Sequence, residues 1–157
     1  MLIWLSAISL FFGFGGMDRM SKREKLYFFN KEKYNMNKED FILGDYNYET
    51  EVNGILVSIN KDTMSERTVD YANRILELYL SKKTEILEHI INDALLEFYG
   101  DWYTRDEIIE KLNEANIEII EENWGKLIWL NHELDDDHII EVEFNNDMEL
   151  SYVSIDG

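Results

Sequence analysis

Apolar residues recur every three or four positions between Ser65 and Tyr99, and every two positions in the stretches on either side. The first period puts side chains on one face of a helix, the second on one face of a strand. Val69, Ala72, Ile75, Leu76 and Tyr79 make a first helical stripe; Leu87, Ile90, Ile91, Ala94, Leu95 and Phe98 make a second. The spacing predicts two consecutive amphipathic helices, because one helix of that length is rare in a small domain. Gly100 would close the second in a left-handed conformation. The stretch between them, Ser81-Lys82-Lys83-Thr84, holds no Gly or Pro, so a single long helix is the other reading. A third helix begins at Thr104, which caps it while Glu107 returns the carboxylate of a capping box, and runs to about Ala115.

Before the helices, Tyr46, Tyr48, Thr50 and Val52 alternate with polar residues, as do Ile55, Val57 and Ile59. Asn53-Gly54 between the two runs is a hairpin signal, because both residues tolerate positive φ. A two-residue turn sets Val52 opposite Ile55 and Thr50 opposite Val57. After the helices come four more runs: Ile117 with Ile119, Leu127 to Leu130, Ile140 with Val142 and Phe144, and Met148 with Leu150 and Tyr152. Trp124-Gly125-Lys126 and Asn145-Asn146-Asp147 read as turns or bulges between them. The order predicts an α+β fold: an N-terminal β-hairpin, three helices and C-terminal antiparallel strands, in one mainly antiparallel sheet with helices on one face.

Residues 41–157 read as a single acidic domain. Residues 17–40 are a basic, largely irregular segment, in which Leu26-Tyr27-Phe28-Phe29 adds a short strand or docks on the domain. Residues 1–16 are an apolar extension with three readings. No positive region precedes it, as a secretory signal would have. It is shorter than a membrane span but can tether, with Arg19, Lys22, Arg23 and Lys25 on the cytoplasmic side. Translation starting at Met17 or Met20 rather than Met1 would remove it. The expected location is therefore cytoplasmic, with membrane association if residues 1–16 are translated.

Charge changes the picture more than composition does. The 157 residues carry a formal net charge of −18. Met1 to Lys38 holds seven Lys or Arg against three acids, and the remainder eight against thirty, a net −22. Such a body repels nucleic-acid backbones and attracts a basic protein partner; solubility alone is the plainer use of the same charge. The absence of Cys removes disulfides, thiolate metal sites and Cys nucleophiles, and is compatible with a reducing cytoplasm.

The densest polar cluster is Asn131-His132-Glu133-Leu134-Asp135-Asp136-Asp137-His138. His132, Asp135, Asp137 and His138 are candidate metal ligands, but the spacing fits neither a calcium loop nor a zinc-protease helix. A solvated acidic connection between two strands explains the same residues. The sequence implies no cofactor, and no catalytic residue is assigned. His89, among Glu85, Glu88 and Asp93, reads as a solvated helix residue. Trp102 reads as a linker aromatic folded onto the core or as an exposed binding aromatic. With Asp135, Asp136 and Asp137 it is a candidate partner contact.

Phe41-Ile42-Leu43-Gly44, the Trp102–Thr104 approach to the third helix, Asp136-Asp137-His138-Ile139-Ile140 and the terminal Ile155-Asp156-Gly157 together resemble a bacterial family of small acidic α+β proteins, a domain of unknown function. The resemblance covers about Phe41 to Gly157. The family pattern has a Gly before the His where this chain has Asp137. The resemblance implies the fold and no activity. Small acidic proteins of this kind also look like immunity proteins, by composition alone. The expected function is a non-enzymatic module that captures a basic partner; the alternative is a metal-dependent enzyme using the His132–His138 loop.

Overall fold

Seven strands pair in chain order into one open sheet in the computed structural model, which describes residues 35–157. The expectations for residues 1–16, for most of 17–40 and for a strand at Leu26–Phe29 lie outside the described residues. Met36–Gly157 form one compact unit. The strands are β1 (Ile42–Leu43), β2 (Asn47–Val52), β3 (Ile55–Asn60), β4 (Asn116–Glu121), β5 (Trp124–Trp129), β6 (Ile139–Asn145) and β7 (Glu149–Asp156). Neighbours are antiparallel except β3 and β4, which run parallel because the helices return the chain between them.

The N-terminal β unit is a three-stranded meander, because β1 pairs with β2 ahead of the β2–β3 hairpin. Val52 faces Ile55 and Thr50 faces Val57. Asn53 and Gly54 both have positive φ, 52° and 81°. Packing extends upstream of Phe41. Met36 is buried, and the Asn73 side chain accepts from its N–H and donates to its carbonyl, both at 2.8 Å.

The two helices expected between Ser65 and Tyr99 are one rod. α1 runs Glu66–Ile90 from a Ser65 cap, passes through a π segment, Ile91–Leu95, and ends in the turn Leu96–Tyr99. Nothing in Ser81–Thr84 breaks it; the Ser81 hydroxyl donates back to the Leu78 carbonyl. The irregularity falls a helical turn or two later and changes which residues go inside. A π turn inserts one residue, which rotates the following face by about 100°. Tyr99 is therefore buried, and Phe98 is 40% exposed. Gly100 has φ −64°, not the left-handed value expected. α2 (Arg105–Leu112) starts on the Thr104–Glu107 capping box and stops at Asn113, φ 60°. The described chain thus has two helices rather than three. None is long and apolar enough to cross a membrane.

One face of the sheet is closed. Val57, Ile59, Ile117, Ile119, Leu127, Trp129, Ile140, Val142 and Phe144 are all buried, with Ile75, Leu76 and Tyr79 of α1 and Ile108 and Leu112 of α2. Trp124, Gly125 and Lys126 lie inside β5; the β4–β5 turn is made by Glu122-Asn123, with Asn123 at φ 75°. Gly125 is required there, since a Cβ would strike the Glu118 carbonyl and the Phe144 ring. The β6–β7 register shifts, so Phe144 faces Leu150 while Val142 faces Val153. The simple alternation expected over Met148, Leu150 and Tyr152 is lost, and Tyr152 is exposed.

The opposite face is lined by Glu49, Ser58, Glu118, Lys126 and Glu143 in one row across β2 to β6. Its strand-centre side chains from β3 to β6 are almost all half-buried.

Candidate functional site

The end of α1 and the loop joining β5 to β6 meet at one end of the domain. After Tyr99 the chain turns tightly, with the Trp102 and Tyr103 N–H groups both donating to the Tyr99 carbonyl, at 2.9 and 3.0 Å. The loop is anchored from α2 and from the approach to it. Glu133 N–H donates to the Lys111 carbonyl at 2.7 Å, the Asn113 amide to the Asn131 carbonyl at 2.9 Å, and the Tyr103 hydroxyl to the Leu134 carbonyl at 3.0 Å. Leu134 is buried and pins the loop middle.

Asp135 organises the second half of the loop. Its Oδ1 accepts from the Asp137 and His138 N–H groups, at 3.1 and 3.0 Å, and its Oδ2 lies 2.9 Å from His138 Nδ1. Burial pushes the carboxyl pKa up. The Tyr99 hydroxyl, the two backbone N–H groups and the His138 ring outweigh it and hold the pKa down at about 2. The Tyr99 hydroxyl is buried and faces Asp135 outside strict hydrogen-bond geometry, close enough to favour the carboxylate. Burial, with that same carboxylate, pushes the Tyr99 phenol far up. Among the described residues the buried Trp129 Nε1 has no hydrogen-bond partner.

The structure divides the candidate ligands. Asp135 and His138 are brought together. His132 is buried and engaged at both nitrogens: Nδ1 accepts from Leu134 N–H at 3.3 Å, so Nε2 carries the proton and donates to the His138 carbonyl at 2.9 Å. Neither nitrogen is free for a metal. Asp137 is exposed, with its backbone used by Asp135. Its backbone keeps a negative φ. Among the described residues no three His, Asp or Glu side chains converge as a metal site. His89 stands near Asp93 and the Ser151 carbonyl, each at 3.4 Å.

The surface that the site presents outward is aromatic and acidic. Trp102 is 69% exposed, so of its two expected places the surface is the one it takes. Its ring stacks edge-on to Tyr99 at 6.3 Å, Tyr99 contacts Phe98 and His132, and Phe98 contacts His138 at 5.0 Å. Asp101, Glu133 and Asp137, which flank Trp102, His132 and His138 in the chain, are exposed, as is Asp136. Ring faces and carboxylates are the two kinds of group that can hold a guanidinium or ammonium. Lys111 already lies 5.2 Å over the Tyr103 ring.

Periodicity alone does not pick out Phe98 and Tyr99 as site residues, because it sends Phe98 inward and gives no sign of the π segment. The backbone of Gly157 closes against the Asp137 carbonyl and the His138 ring, and Tyr103 holds Leu134. No family model, curated protein or solved structure matches the chain in comparisons with known proteins.

Proposed function

We propose that this protein is a non-enzymatic binding module that captures a basic protein partner, in the manner of an immunity protein that neutralises a toxin. The observation that supports it is the exposed pair Trp102 and Phe98, both packed on Tyr99, with the exposed Asp136 and Asp137 just ahead in the chain of His138, whose ring contacts Phe98. Trp is one of the residue types enriched among the side chains that anchor protein interfaces, and acidic neighbours select a cationic counterpart. The net −22 of residues 39–157 speeds encounter with such a partner and repels nucleic acid. The reading puts the encounter in a reducing cytoplasm, with which a chain free of Cys is compatible.

The test is retention of host proteins on the immobilised chain at low salt. A basic partner is expected to bind and to elute as salt is raised. Trp102→Ala combined with Asp136→Asn and Asp137→Asn is expected to lose it, while thermal unfolding stays close to that of the unmodified protein. Retention of no basic protein at low salt, or undiminished retention by the triple variant, counts against the proposal.

A further inference from the structure

The outer face of the sheet has the character of a surface prepared for contact. No described element covers it, yet the Lys126 and Glu141 side chains are each only 25% exposed. Lys126 is directly opposite Glu118 on β4 and Glu143 on β6, and its ammonium donates to Glu141 Oε2 at 2.8 Å. Three carboxylates therefore surround one ammonium, a surplus of two negative charges. The Glu141 hydrogen bond raises the Lys126 pKa against the opposing effect of burial, and the three carboxylates add to the rise. Asn47 fixes Glu118 by a 3.1 Å hydrogen bond. Carboxylates held in place and partly desolvated bind a cation more strongly than mobile ones in water, because less ordering is needed on contact. β5 and β6 run directly into the loop of the candidate site. The residues at that end, Leu130 and Ile139, are exposed apolar side chains.

We propose that this outer face is a docking surface for a protein partner presenting Arg or Lys side chains, centred on Glu118, Glu141 and Glu143 with Ile128, Leu130 and Ile139 as its apolar margin. Charge complementarity commits the occupant: the carboxylate surplus repels an anionic ligand and a second copy of this acidic chain, and it fits a cationic surface. The inference rests on the basic-partner reading and adds a second contact surface to the Trp102 end that the reading already uses.

The experiment uses a nona-arginine peptide as probe, followed by calorimetry at low salt. Glu118→Gln with Glu143→Gln is compared with Asp106→Asn plus Glu110→Gln, which removes the same charge from exposed positions on α2. The outer-face pair is expected to weaken binding about tenfold and the α2 pair less than about twofold. Equal losses would mean that binding follows net charge alone and would overturn the inference. Amide shifts of the unmodified protein during the same titration decide the matter even if the outer-face variant fails to fold. Shifts confined to the surroundings of Trp102 overturn this surface and leave the basic-partner reading standing. No binding by the unmodified protein removes that reading and this surface with it.

Discussion

Single residues show most directly how backbone geometry and hydrogen bonding constrain this chain. Gly54 sits at φ 81° with open space where a Cβ would go. The cost of Gly54→Val is thus backbone strain and not collision, about 1–3 kcal/mol, read as a lower midpoint in thermal or urea unfolding. Unchanged stability would mean that the turn relaxes to another type. Asp135 offers a test with a pH signature. Its folded pKa of about 2 lies below the ordinary carboxylate value. A depressed pKa stabilises the folded state above the unfolded value, near 4, and that contribution disappears as pH falls through about 2. Asp135→Asn is expected to cost about 1–3 kcal/mol at neutral pH, because two backbone donors and the His138 ring lose an ionised acceptor. It should also flatten the loss of stability between about pH 4 and pH 2, which unfolding midpoints measured across that range would show.

At the level of elements, local signals were legible and tertiary adjustments were not. Asn53-Gly54 and the Thr104–Glu107 box declare themselves in a few adjacent residues, and the structure uses both. The π segment at Ile91–Leu95 has no comparable signature. Its consequence, Phe98 outward and Tyr99 inward, reverses what periodicity alone implies. The shift in β7 is equally silent in the local sequence, and it sets Leu150, Val153 and Ile155 opposite inner-face residues of β6. The acidic loop was legible as a cluster, but its use was not. His132 spends both nitrogens on the backbone, and only Asp135 and His138 meet. Gly125 shows an element-scale constraint of a different kind. Its lack of a side chain lets β5 lie close to the Glu118 carbonyl and the Phe144 ring. Gly125→Ala is expected to destabilise the domain by about 1–3 kcal/mol through overpacking, although Ala is otherwise better tolerated in a strand. An unfolding midpoint equal to that of the unmodified protein would show that β4 and β6 yield at little cost.

For the molecule as a whole, the closed face of the sheet and the boundary at Met36 bear on how much chain is needed to fold. The helices and the inner faces of β3 to β6 bury a continuous set of side chains among residues 55–144. Met36 and Phe41 add buried side chains ahead of the first long strand, and Asn73 ties the Met36 backbone to α1 through two hydrogen bonds. A fragment beginning at Asn35 is therefore expected to unfold cooperatively by circular dichroism. One beginning at Ile42 should keep the sheet and the rod but lose two buried apolar side chains and leave Asn73 without its backbone partners. Removing even one large buried side chain costs about 2–5 kcal/mol. Each kcal/mol shifts the midpoint of a domain this size by about 2–8 °C. The shorter fragment should thus melt at least several degrees below the longer one. Equal melting temperatures would place the working boundary at Ile42 and make the Met36–Asn73 contact incidental, while an unfolded longer fragment would show that residues before Asn35 belong to the folding unit.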